Sequence, residues 1–148
     1  MKQVICLLLA LLIVSCKTDD STLDCSAVLC LAFSLNIKII DTETNSNYII
    51  ENNITENDIE VKNTQNESID FYLVSQSTSS FNGAIGIYVY ASNIQTISIN
   101  NLNDIVVSYT VIPPQTNGCC DFGSIENLMV ENYQFEFNSE TKRLIVYL

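Results

Sequence analysis

"LAFSLNIKI", residues 31–39, alternates apolar and polar side chains along its length. Leu31, Phe33, Leu35, Ile37 and Ile39 fall on one side, with Ser34, Asn36 and Lys38 on the other. A helix, repeating roughly every 3.6 residues, would scatter these side chains around its axis, whereas a strand gathers them on one face. The stretch therefore reads as a half-buried β-strand. The same period recurs in "IEVKN" (59–63), "IDFYLVS" (69–75), "AIGIYVY" (84–90), "IQTISI" (94–99) and "IVVSYTVI" (105–112). It continues in "IENLMV" (125–130), "YQFEF" (133–137) and "LIVYL" (144–148).

"YII" at 48–50 adds a short strand candidate, and "ENNITEND" at 51–58 reads as loop with room for one helical turn. Asn82-Gly83 is a hairpin-turn signal. Pro113-Pro114 cannot continue a central strand and ends the one before it. "NSETKR" turns the chain into its last strand, so Tyr133, Phe135 and Phe137 share a face, as do Leu144, Val146 and Leu148. No amphipathic helix of useful length appears. About eight or nine short strands with regular turn signals predict an all-β, antiparallel sandwich, immunoglobulin-like or transthyretin-like, with a barrel as the runner-up.

The N-terminus has a different character. Lys2 precedes an unbroken apolar run from Val4 to Val14. That run is shorter than the roughly 20 residues of a membrane span and suits the core of a secretory signal. Ile13, Val14 and Ser15 then lead into Cys16. This order of aliphatic, tolerant, small and cysteine resembles the lipobox of bacterial lipoproteins. The resemblance implies cleavage before Cys16 and lipid attachment to its thiol. "KTDDSTLD", residues 17–24, is polar and acidic, which fits a tether. It is also similar to the acidic export signal of surface lipoproteins of the Bacteroidota, although Thr18 interrupts the usual order. The expected organisation is a signal peptide over 1–15, a lipidated cysteine and tether over 16–24, and one domain over 25–148.

The 148-residue chain carries 17 acidic and 6 basic side chains, a formal net charge of −11, and no histidine or tryptophan. A surface of that sign repels phosphate backbones, so nucleic acid is not an expected partner. It also repels anionic headgroups, which leaves the lipid to hold the protein at a membrane. The missing histidine removes Ser-His and Cys-His nucleophilic catalysis and the usual catalytic zinc ligands. No cofactor and no metal site are expected. The acidic stretches "DTE" (41–43) and "ENDIE" (56–60) lack the calcium-loop pattern and read as solvated loops.

Downstream of Cys16 stand Cys25, Cys30, Cys119 and Cys120. In an exported chain these are expected to oxidise. Neighbouring strand residues face opposite ways, so Cys119 and Cys120 are not expected to pair with each other. Two bridges from the Cys25/Cys30 segment to the Cys119/Cys120 pair are the favoured arrangement, with a local Cys25–Cys30 bridge as the alternative. Seven tyrosines occur, and Tyr88 and Tyr90 fall opposite Ile85, Ile87 and Val89, beside Gly86 and Ala84. An aromatic pair above small residues is a candidate platform for a sugar ring.

The lipobox, acidic segment and paired cysteines together resemble small uncharacterised lipoproteins of the Bacteroidota, of flavobacterial type. That resemblance covers about the first thirty residues and the vicinal cysteines, and implies an address in the cell envelope, at the outer membrane. The expected function is a non-enzymatic binding or scaffolding module whose partner is an envelope protein or a glycan. A small carboxylate-dependent hydrolase and an inhibitor or immunity-type lipoprotein are the alternatives. A hydrolase requires a concave site with at least two converging carboxylates.

Overall fold

Alternation of side chains becomes two facing sheets in a computed structural model, which describes residues 30, 33–76, 78–89, 94–115 and 118–148. Cys16, Cys25, Leu31, Tyr90 and the signal and tether segments lie outside the described residues. One sheet contains β1 (Ser34–Asp41), β2 (Ser46–Asn47), β4 (Phe71–Leu73), β5 (Ile85–Tyr88), β9 (Gln134–Asn138) and β10 (Arg143–Tyr147). Its order is β4-β5-β1-β10-β9, with β2 paired to the far end of β1. The other contains β3 (Ile59–Asn63), β6 (Ile94–Ile99), β7 (Ile105–Ile112) and β8 (Ser124–Val130), in the order β3-β6-β7-β8. Both sheets are open, so the fold is a sandwich and not a barrel. Among the described residues ten strands form, against the eight or nine expected: the nine alternating stretches each give one, the two-residue β2 is the tenth, and a helical turn stands in place of the "YII" strand.

That replacement has a local cause. Asn47 Oδ1 accepts from the Ile50 amide at 3.2 Å, a side-chain cap that starts one helical turn, α1 (Tyr48–Glu51). The turn buries Ile49 and leaves Ile50 outside. A three-residue apolar run carries no period of its own, so the cap decides its conformation.

The pairing is antiparallel throughout except at the centre of the larger sheet. There β1 and β10 run parallel, with Ile37 opposite Leu144 and Ile39 opposite Val146. A parallel pair cannot be closed by a tight hairpin, and here the rest of the domain intervenes between the two strands. The order β4-β5-β1 is that of strands D, E and B in an immunoglobulin sandwich, and β3-β6-β7 is that of C, F and G. β10 takes the position beside β1 that strand A holds there, running parallel where strand A is antiparallel.

The core lies between the sheets. Leu35, Ile37, Ile39, Ile85, Ile87, Leu144 and Val146 come from one side, and Val61, Ile97, Ile105, Val107 and Ile125 from the other; all are buried. Each such side chain contributes about 1.5–3 kcal/mol by leaving water. One polar pair is buried with them. Gln95 Nε2 donates to the Tyr109 hydroxyl at 2.8 Å, and burial pushes the Tyr109 phenol up to about 12. Gln95 Oε1 is buried and has no hydrogen-bond partner.

Asparagine has a structural use here. Among the described residues, Asn45, Asn53, Asn66, Asn101, Asn127 and Asn132 adopt positive φ, a conformation that asparagine tolerates better than other side chains. Asn127 is the clearest case. The β7–β8 register shifts between Ser108 and Thr110, with Asn127 at φ 52° as the extra residue. This bulge turns Leu128 and Val130 into the core alongside Ile125 and leaves Met129 outside at 59 % exposure.

Candidate functional site

The outer face of the larger sheet holds the side chains that alternate away from the core. Ser34 and Asn36 on β1 lie opposite Tyr88 and Gly86 on β5, Gly86 lies opposite Tyr72 on β4, and Asn36 lies opposite Arg143 on β10. Gly86 decides the shape of this face. A Cβ there would stand 2.2 Å from Tyr72 Cζ, so the Tyr72 ring occupies the space that a side chain would fill. The ring packs against Tyr88 with centroids 5.5 Å apart and planes tilted by 47°. Its hydroxyl shares a hydrogen bond with Ser34 Oγ at 3.0 Å and makes a longer contact of 3.4 Å to Asn36 Oδ1.

A second aromatic wall stands across from the first. Phe33 and Phe122 stack with centroids 6.2 Å apart and planes within 13°. Cys30 and Cys120 are joined by a disulfide, with Cα atoms 5.3 Å apart, and this brings the 118–123 loop to the start of β1. Gly123 completes the approach. It has φ +85°, and a Cβ would meet the Ile112 carbonyl oxygen at 1.9 Å, so only glycine lets the loop pass the end of β7. Its amide donates to Asp121 Oδ1 at 3.0 Å. Cys119 is disulfide-bonded as well. The two walls enclose a groove of about 790 Å³ with Ser34, Asn36, Thr141 and Lys142 between them.

The loop after β4 crosses the same face. Lys38 Nζ donates to the Ser80 carbonyl at 2.9 Å, and the Arg143 guanidinium lies 4.7 Å from the centre of the Phe81 ring. Beyond it is a smaller groove of about 560 Å³, whose lining includes Phe81, Glu136, Phe137 and Arg143. Thr141 borders both grooves. It is fixed by Asn138 Oδ1, which accepts from its amide at 2.8 Å and its hydroxyl at 2.9 Å. The next residue, Lys142, has φ 52° and sets its ammonium 5.1 Å from the Phe33 ring centre.

No known family model, curated protein sequence or solved structure matches this chain.

The acidic stretches do structural work. Asp41 Oδ1 accepts from the Glu43 amide at 2.8 Å, which closes the turn into β2. Glu56 Oε1 accepts from the Leu73 amide at 3.2 Å, on the edge strand β4. Asp58 accepts from the Thr55 hydroxyl and amide and from Asn100 Nδ2, and these hydrogen bonds, the Thr55 hydroxyl first, hold its carboxyl below the usual value. The neighbouring Glu136 carboxylate raises the Tyr147 phenol. Among the described residues no carboxylate lines the larger groove, and Glu136 is the one carboxylate that lines the smaller. Among the described residues no group of three His, Cys, Asp or Glu side chains is placed to hold a metal ion, and no helix is long and apolar enough to cross a membrane.

Of the residues singled out in the sequence, Tyr88, Cys30 and Cys120 meet at this groove. The aromatic partner of Tyr88 is Tyr72, and Tyr90 lies outside the described residues. Phe33, Tyr72, Phe122 and Lys142 were not legible as site residues. One signal was available for Tyr72, since a glycine inside a strand pattern marks a place where another group approaches closely. The disulfide carries the signal for Phe122, but only after its connectivity is known.

Proposed function

We propose that this chain is a non-catalytic binding module of the cell envelope, held there by lipid on Cys16, and that it takes a saccharide in the groove beside β1. One observation carries the reading. Four rings, Phe33, Tyr72, Tyr88 and Phe122, wall a single groove that also offers the hydroxyl of Ser34 and the amide of Asn36. A sugar presents CH-rich faces that stack on rings and hydroxyls that need paired donors and acceptors, and such a groove supplies both. A hydrolase reading finds no support among the described lining residues, which include no carboxylate. The lipid anchor is supported by the position of Cys16 directly after a signal-like apolar run.

Affinity electrophoresis of the soluble chain through gels containing neutral and acidic polysaccharides tests the groove. At least one polymer is expected to retard it, and Tyr72→Ala and Tyr88→Ala are each expected to weaken that binding about tenfold. Retardation by none of the polymers, or cleavage of one that is lost on removing a carboxylate, overturns the reading. Metabolic labelling with a fatty acid tests the anchor, and label that survives Cys16→Ser overturns it.

A further inference from the structure

We infer that the saccharide bound at this face is acidic. The inference rests on the groove reading above and adds the charge of the ligand. The chain is strongly acidic, yet three of its six basic side chains, Lys38, Lys142 and Arg143, stand together on the outer face of the larger sheet. Asn36 is paired with Arg143 in the register, and Lys38 lies one outward position further along β1. Among the described residues the ion pair that forms is Lys62–Glu60, away from this face, so these three cations are not neutralised by a carboxylate in contact. They rest on the Phe33 ring, the Phe81 ring and a carbonyl oxygen.

Lys142 adds an independent argument. Seven described non-glycine residues have positive φ; six are asparagine and the seventh is Lys142. Left-handed backbone disfavours lysine, and this fold uses asparagine at every other such position. A lysine there brings something asparagine lacks, namely a charge on a long stem at the rim of the groove.

The overall charge of −11 does not prevent this. Exposed charges further than about 8–10 Å from the ligand are largely screened at physiological salt, so the local cations govern contact. A nucleic acid duplex would extend beyond the face onto the acidic remainder of the surface, whereas a single saccharide chain stays within the groove.

Polygalacturonate and its methyl ester share a backbone and differ in charge, so they serve as paired probes. The chain is expected to bind polygalacturonate more tightly, and to lose that preference in high salt. Lys142→Asn is expected to weaken polygalacturonate binding about fivefold. The same variant keeps or raises the thermal midpoint, because asparagine suits the left-handed backbone, so misfolding cannot explain the loss. Arg143→Gln is expected to act similarly, and in both variants the preference for polygalacturonate over the methyl ester narrows. Equal, salt-insensitive binding of both polymers overturns the acidic ligand and leaves the groove reading intact. Binding of neither polymer, with a neutral polysaccharide bound instead, does the same; binding of no polysaccharide overturns both. If no saccharide binds and carbodiimide cross-links Lys142 to Asp19, Asp20 or Asp24, or to a second copy, the face belongs to that occupant. Tighter binding of single-stranded DNA than of either polymer also overturns the inference.

Discussion

The Tyr72 ring fills the place of the side chain that Gly86 lacks, with Cζ 2.2 Å from where a Cβ would be. β4 and β5 pair with these two residues directly opposite, so the glycine is what lets a tyrosine of the edge strand lie across its neighbour. The wall of the groove depends on that one absent carbon.

Gly86→Ala and Gly123→Ala are expected to differ sharply. The first meets the far end of a side chain, which swings away, so the stability cost stays near 1 kcal/mol while Tyr72 leaves Ser34 and Tyr88. The second meets the Ile112 backbone oxygen at 1.9 Å from a residue with φ +85°, which cannot relax cheaply, and a cost of about 3 kcal/mol or more is expected. Urea unfolding ranks the two, and near-ultraviolet circular dichroism reports the tyrosine pair. Equal destabilisation would refute the assignment.

Cys30 and Cys120 close a loop with a sequence separation of 90. The chain-entropy model gives such a cross-link about 4.6 kcal/mol. Non-reducing peptide mapping is expected to link the Cys30 peptide to the one that contains Cys119 and Cys120, with neither of those two alkylated. Reduction should lower the urea midpoint substantially. An alkylated Cys30 in the unreduced protein is the contrary result.

Gln95 and Tyr109 are 1 % and 4 % exposed, and each single change strands a buried polar group. Tyr109→Phe is expected to cost about 1–3 kcal/mol, because the Gln95 amide loses its acceptor. Gln95→Met with Tyr109→Phe removes both partners and the unpaired Oε1, and should recover most of that loss. A double variant no more stable than the worse single would contradict the pairing.

The same phenol gives an alkaline signature. Its folded pKa is raised to about 12 from 10.0, so it stabilises the fold below the unfolded value and loses that contribution as pH climbs from 10 towards 12. About 2–3 kcal/mol disappears across that window, an interval that Tyr109→Phe should flatten. Denaturant titrations at pH 9 to 12 make the comparison.

Asp58 behaves oppositely. Its folded pKa is depressed, mainly by the Thr55 hydroxyl, so the stabilisation is present above the unfolded value of 3.8 and vanishes as pH falls through the folded one. Wild type and Asp58→Ala are expected to differ in urea midpoint at pH 6 and to converge in acid. A difference that persists at pH 2 would show that the charge is not responsible.

The fold class was written locally. Period-two alternation from Phe33 to Ile39, and again in β3, β6 and β7, marks which face must be buried, because each strand can hide only one. The sequence by itself also determined the turn at Asn82-Gly83 and the stop at Pro113, since both depend on backbone chemistry of the residues concerned. It did not determine that β1 would pair with β10 in parallel, because partners a whole domain apart leave no local trace. It misplaced Tyr48–Ile50, where a capping side chain outweighs apolar content, and it concealed the bulge at Asn127, which resets the faces of β8. The groove was the least legible part. Tyr72, Tyr88, Phe33 and Phe122 come from four separate segments, and their meeting depends on sheet register, one missing Cβ and one long-range disulfide, which only the tertiary structure brings together.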